Sequence, residues 1–317
     1  MKFYKNSASF LFVFFAVFLS FSCQDKKQAH AIAAESSEQE FAKKENPPKK
    51  EVSPEFKKYW YAGTAEISSY ELKQVRYGEI RKGKSVLIYV TEPFLKDKQV
   101  KADNKRPDNI PVLKLNTTKK YLTGIYPYSI MTSSFYSVYN NKHATKVTFS
   151  AQEWCGHVFA QINNKEDFAV KSYSYFEKEG DQDFSIPKDL LENEIWNQIR
   201  IDPSTLAVGS LKIIPSLEFI RLSHKELKSY SAEASIEKGE QFSTYSMYYP
   251  ALDRKVSIQY NNRFPYTIEG WEETVMIGSG ENKKELTSSG KRIKTIPSAY
   301  WSKNTNKDAF LRDLLGL

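Results

Sequence analysis

The chain has 317 residues, of which 40% are hydrophobic, 26% charged and 14% aromatic. That composition excludes a wholly disordered, collagen-like or coiled-coil chain. The formal net charge is +8, and residues 58–317 keep +6 of it, spread thinly. The densest basic stretches, 96–106 and 283–294, are broken by acids and apolar residues, so no nucleic-acid partner is expected. A mild excess of this kind suits weak attraction to anionic lipid headgroups or glycans.

Residues 1–22 have a basic start, Lys2 and Lys5, and an apolar run from Phe10 to Phe21. The run is short for a permanent span and reads as an export signal. Ser22-Cys23 at its end makes the segment resemble a bacterial lipoprotein signal, although Ser20 stands where that family favours Leu. The resemblance implies cleavage before Cys23, acylation of its thiol, and a membrane partner through it. It also implies a place in the cell envelope, expected at the outer membrane. The one other cysteine is Cys155, so an acylated Cys23 leaves no intrachain disulfide, and the fold must rest on its core. From Gln24 to Lys57, seven lysines balance seven acids among few apolar residues, with Pro47-Pro48 and Pro54. This composition predicts a disordered tether. The domain reading is therefore a leader over 1–22, an anchored tether over 23–57, and a folded domain over 58–317, with two sub-halves meeting near 180–205.

The folded domain reads as mainly β. Nineteen of the 20 tyrosines lie beyond residue 57. Alternating or β-rich runs are predicted at 61–68, 86–90 (after a turn at Arg81-Lys82-Gly83-Lys84), 125–139, from Val147 and Phe149 onward, 158–162 and 168–176. A second series follows at 230–236, 242–249, 256–260 and 266–277. Asn140-Asn141, Asn163-Asn164, Lys238-Gly239 and Asn261-Asn262 supply turns. Many short strands with such turns predict an antiparallel meander, closed or half-closed. Between the series, Pro187 opens a helix to about Arg200 with Leu191, Ile195 and Ile199 on one stripe. A last helix is predicted over 306–315, capped by Thr305 and Gly316, with Phe310, Leu311, Leu314 and Leu315 facing the core.

The order of meander, helix and meander, with a Tyr126-Pro127 step and the central helix, resembles the LolA/LolB-type half-barrel lipoproteins over roughly 58–277. What the resemblance implies is a curved sheet around a helix, an apolar concavity and lipid handling.

Few residues point to chemistry. Trp154-Cys155-Gly156-His157 would place Cys155 and His157 on one face of a strand, where an imidazole can activate a thiol. The bland alternative is a buried packing cysteine beside a hydrogen-bonded histidine. The four histidines, with no CxxC or HExxH, predict no metal site. GxSxG, GxGxxG and P-loop patterns are also missing, so no cofactor is expected. Tyr126, Tyr128, Trp196 and Trp271 are candidate ligand contacts, since Tyr and Trp join an apolar body to a polar tip. The leading expectation is a non-enzymatic, membrane-tethered binder of an apolar or amphipathic ligand held in the concavity. The alternatives are a glycan- or protein-binding module using exposed aromatics, and a Cys/His-dependent enzyme.

Overall fold

The structure, a computed structural model, describes residues 51–317 except 105, 140, 141 and 279, and of Glu281 only the backbone. The leader, Cys23, most of the tether and the Asn140-Asn141 turn lie outside the described residues. The compact unit runs from Pro47 to Leu317.

Order begins earlier than the composition suggests. Helix α1 (Pro54–Trp60) starts on a proline at its first turn, and the Ser53 hydroxyl accepts the Phe56 N–H at 3.0 Å. Phe56 and Trp60 are both buried, so the last residues read as tether already belong to the core.

The chain then enters one sheet of sixteen strands near its middle. Strand β1 (Ala65–Arg76) turns through Tyr77-Gly78 into β2 (Glu79–Leu95), whose far end carries the short β3 (Val100–Lys101). An antiparallel meander follows through β4 (Ile110–Thr123), β5 (Tyr126–Ser137), β6 (Lys146–Glu153), β7 (Gly156–Asn164), β8 (Phe168–Ser174) and β9 (Gln182–Ile186). Residues 187–189 carry the chain to the opposite sheet edge, where β10 (Leu190–Leu191) pairs in parallel with β11 (Gly209–Ile214). The chain returns through β12 (Tyr230–Lys238), β13 (Phe242–Tyr249), β14 (Arg254–Asn261), β15 (Ile268–Ile277) and β16 (Lys284–Ser298), and β16 docks against β1. Strands β9 and β10 are not hydrogen-bonded, so the sheet stays open. Yet four residue steps from Ile186 to Leu190 span at most about 14 Å. The sheet has therefore curled until its edges nearly meet: the half-closed meander expected from the sequence, at larger scale.

Helix α2 (Glu192–Ile201) runs inside the curl. It bonds to strands of both halves, and Leu191, Ile195 and Ile199 are buried as the stripe predicts. Its start lies five residues later than Pro187, because residues 187–191 are used to cross between edges and pair with β11. Helix α3 (Leu217–Leu222) lies in the β11–β12 connection, and α4 (Phe310–Leu315) packs on the outer face of β1. There Ala65, Ile67, Val90 and Leu315 form a small second cluster, and the Ser69 hydroxyl donates to the Leu315 carbonyl at 2.5 Å. This explains why β1 is buried on both faces at its start. Of the stripe assigned to the last helix only Leu315 is buried; Phe310 and Leu314 are more than half exposed, because the short helix meets the sheet only at its last turn.

The turn expected at Arg81–Lys84 is also corrected. Gly83 sits inside β2, where a Cβ would lie 2.2 Å from the Lys120 carbonyl oxygen, so the glycine admits close strand approach instead. The hairpin turn is Tyr77-Gly78, both at positive φ (53° and 73°), as a two-residue turn that follows strand twist requires.

Candidate functional site

The interior does not offer the expected apolar concavity. Helix α2 carries Glu192, Asn193, Glu194, Asn197, Gln198 and Arg200, all buried. Enclosed on every side, these groups find partners in the wall. Near the helix start, Glu192 accepts two bonds from the Arg254 guanidinium on β14, at 2.6 and 2.8 Å, and one from Tyr249 at 2.7 Å. Arg254 also donates to Glu273 on β15 at 2.6 Å. Near its end, Arg200 donates both Nη atoms to Glu66 on β1 at 2.6 Å, and its Nε to the Pro265 carbonyl at 2.8 Å. Acid at the start and base at the end also suit the helix dipole.

These pairs set the local ionisation. Burial disfavours the charged forms of Glu66 and Glu192, but Arg200 and Tyr59 on one side, Arg254 and Tyr249 on the other, outweigh it and hold both carboxyls below their ordinary range. Glu194 differs: burial dominates and pushes its carboxyl up, although it faces His143 at 3.1 Å and accepts the Ala144 and Leu191 N–H groups.

What space remains beside α2 is a cavity of about 70 Å³ lined by Lys119, Glu192, Trp196, Glu218, Arg254, Trp271 and Glu273, among others. Lys119 pairs with Glu218 at 2.8 Å inside it. A few waters fit; an acyl chain does not. Trp196 and Trp271 do meet, edge to face at 5.5 Å, but as core. The Trp271 indole lies over Gly290 of the adjacent strand, 2.2 Å from where a Cβ would sit. The two tryptophans make no ring contact with Tyr126 and Tyr128, which stand on β5.

The rim is the more informative place. Because the meander alternates direction, the turns β1–β2, β4–β5, β6–β7 and β8–β9 all project from one end of the sheet. Their tips expose Tyr77, Leu122, Ile125, Trp154 and Tyr175, each at 58% or more. Tyr126 lies 6.0 Å from Tyr128 and 6.2 Å from Trp154, ring to ring, and Tyr175 covers Gly156. Inside this crown is a recess of about 150 Å³ lined by Arg76, Tyr77, Tyr128, Glu153, Cys155, Phe176, Arg221 and His224, with others. Arg76 donates to the Tyr128 hydroxyl at 3.1 and 3.3 Å, to Tyr77 at 3.2 Å and to the Leu222 carbonyl at 2.9 Å. Among the described residues it has no carboxylate partner. Arg221 and His224, by contrast, both face Glu179, at 2.9 and 3.0 Å.

Cys155 reaches the same recess but not in the expected form. It sits in the β6–β7 turn and is exposed, so it is neither on a strand face with His157 nor a buried packing residue. Hydrogen bonding to Glu153 and that residue's charge push its thiol up, the reverse of activation. His157 is exposed and bonded to Gln152 at 3.1 Å. The described geometry gives the thiol no imidazole; its carboxylate neighbour, Glu153, holds the proton on the sulfur.

The sheet's outer face beside the crown carries a feature that no local stretch of sequence shows. The registers place Lys73 opposite Lys82, Lys84 opposite Lys120, and Glu71 between Lys84 and Lys291, all exposed. Five lysines thus surround one glutamate across four strands.

At the other end of the molecule, Tyr59, Trp60, Phe264, Pro265 and Pro297 line an open cleft of about 430 Å³ above the Glu66–Arg200 pair. Tyr59 and Phe264 close on each other edge to face at 5.7 Å, which leaves no slot between the rings. Among the described residues no group of three or more His, Cys, Asp or Glu could hold a metal ion, and no helix is long and apolar enough to cross a membrane.

No family model matches the chain, and no curated protein matches it. Among solved structures, a beta-barrel-like protein of domain of unknown function DUF1849 from Brucella abortus is similar at 8% identity and TM-score 0.44, covering 74% of this chain and 97% of that one. A porin-like protein from Bacteroides uniformis is similar at 10% identity and TM-score 0.23, covering 72% of this chain and 96% of that one. What the chain itself displays is a β-barrel-like fold: a single curled sheet, open at one seam, with a helix through it.

Proposed function

We propose that the protein is a non-enzymatic module of the bacterial cell envelope, tethered through an acylated Cys23, that binds an amphipathic ligand at the crown. The observation that carries this reading is the set of exposed apolar tips on successive hairpins, Leu122, Ile125, Trp154 and Tyr175, around a recess floored by the unpaired Arg76. Contiguous exposed apolar surface of this kind marks a recognition site. The interior reading of the same function falls away because ion pairs and packed side chains occupy the concavity. Covering each tip side chain with apolar ligand is worth about 1.5–3 kcal/mol.

The test is native mass spectrometry of the Pro47–Leu317 unit, which holds all sixteen strands and the whole core. Ligand should be retained by the native sequence and lost from the variant Ile125→Ser/Trp154→Ser/Tyr175→Ser, while both unfold at the same temperature. Equal retention by the two proteins would refute the crown as the site.

A further inference from the structure

The lysine face beside the crown names the ligand surface. We infer that the crown end docks on an anionic lipid bilayer, with the hairpin tips in the interfacial layer and the lysines against headgroup phosphates. The inference rests on the crown reading and narrows it to one occupant.

Three observations carry it. First, the crown is made of projecting tips and not of a groove: Leu122 and Ile125 at the β4–β5 turn, Trp154 at β6–β7, and Tyr175 just beyond β8. A groove would suit a peptide; separate tips bearing Trp and Tyr beside aliphatic side chains suit the headgroup boundary of a bilayer. Second, the adjoining face holds Lys73, Lys82, Lys84, Lys120 and Lys291 around Glu71. Two of its cross-strand pairs, Lys73–Lys82 and Lys84–Lys120, set like charges directly opposite, an arrangement that costs stability in an isolated sheet. An apposed layer of phosphates would convert that repulsion into attraction. Third, Arg76 in the recess spends its guanidinium on neutral oxygens only, and the Tyr77 and Tyr128 hydroxyls it meets are bonded to each other at 2.8 Å. The recess therefore offers a phosphate oxygen a cation that no carboxylate among the described residues neutralises. The acids nearby do not cancel this. Glu179 is held by Arg221 and His224, and Glu79 by Arg81 at 2.8 Å. Glu153 accepts the Cys155 N–H at 2.7 Å and lines the recess, with no cationic partner among the described residues.

The experiment is co-sedimentation of the Pro47–Leu317 unit with phosphatidylcholine vesicles, with and without phosphatidylglycerol. Binding should require phosphatidylglycerol and weaken as salt is raised. A lysine near an anionic surface contributes about fivefold in affinity, so Lys82→Gln/Lys84→Gln should weaken binding about 25-fold. The same charge change at the opposite end of the sheet, Lys98→Gln/Lys238→Gln, should have less than a threefold effect, about a tenth of that. Arg76→Gln should reduce the preference for phosphatidylglycerol while leaving the unfolding temperature of the unit within that of the lysine variants. Indifference to phosphatidylglycerol, or equal losses from the two lysine pairs, would overturn the lipid inference and leave the crown reading standing. Vesicle binding that survives the triple serine change at the tips would instead overturn the crown reading. Capture by a saccharide array without vesicle binding would reject the lipid surface alone.

Discussion

Glu192→Gln removes one charge and almost no volume, which makes it a clean probe of how the interior is held. The side chain is buried, and its two oxygens accept three bonds, two from Arg254 and one from Tyr249. A glutamine keeps one acceptor, turns an amide toward a guanidinium, and leaves Arg254 with only Glu273. Breaking one partner of a buried pair costs about 3–5 kcal/mol. The retained Glu273 bond places the expectation at the lower end, about 3 kcal/mol, against a total stability of roughly 5–15 kcal/mol. The assay is urea unfolding of the Pro47–Leu317 unit at neutral pH, with exposed Glu237→Gln as control. The sign of the pH dependence follows from the depressed carboxyl. The native state binds its proton less readily than the unfolded chain, so the stabilisation is complete above the ordinary carboxylate pKa and is lost as pH falls through the folded value. The difference between native sequence and Glu192→Gln should therefore shrink on acidification. A midpoint equal to that of the Glu237→Gln control, or a gap that widens toward acid, would refute the reasoning.

Three further outcomes are expected. Ile195→Asp places a carboxylate at a fully buried position of α2 and should abolish cooperative folding, read by loss of near-ultraviolet circular dichroism, whereas Ile195→Val should cost about 0.5–1.5 kcal/mol. Gly290→Ala drives a methyl into the Trp271 indole and should cost about 1–3 kcal/mol with a shift in tryptophan fluorescence; an unchanged spectrum would mean the indole is not where the structure puts it. Glu153→Gln should lower the pH at which Cys155 reacts with a thiol reagent, because it removes the charge that holds the proton on the sulfur; a profile that stays put would disprove that coupling.

Where strands alternate cleanly, the sequence is a good guide: β7 and β12 to β14 lie within two residues of their expected runs, and β6 starts one residue before its expected beginning. The longest strands were the hard ones. Strands β4 and β16 are rich in Lys and Thr, and each contains a proline, Pro111 and Pro297. Their composition looks like loop because one face is solvent-exposed and charged, and only pairing over 9 or more residues reveals the strand. Gly83 misled for a related reason: a glycine admits either a turn or a close neighbour, and only the partner strand decides. Helix α1 was hidden by the lysines and glutamates around Phe56 and Trp60, the two positions that matter.

The site was legible in its residue types and not in its assembly. Tyr126 and Tyr128 do belong to the crown, yet Arg76 and Tyr77 went unmarked, although Tyr77-Gly78 is itself a turn signal beside a cation. The lysine face draws on positions from 73 to 291, so no window of sequence could show it; the register is the only code. The same holds for the interior. On a helical projection Glu192 and Arg200 fall off the apolar stripe and look solvated, because the projection assumes one wet side. Here the curled sheet leaves α2 no wet side, and both charges must find partners in the wall. Those partners stand three strands apart in the sheet, Arg254 on β14 and Glu66 on the central β1, and Asn197 reaches further, to the Leu113 carbonyl on β4. While β9 and β10 share no ladder bonds, α2 ties the wall together from within through these buried ion pairs and hydrogen bonds. A centre pinned in this way cannot swell to admit a ligand without breaking them, at several kcal/mol each. On the proposed binding role, contact with a ligand then falls to the ends of the fold, where exposed hairpin tips can be covered without breaking these pairs.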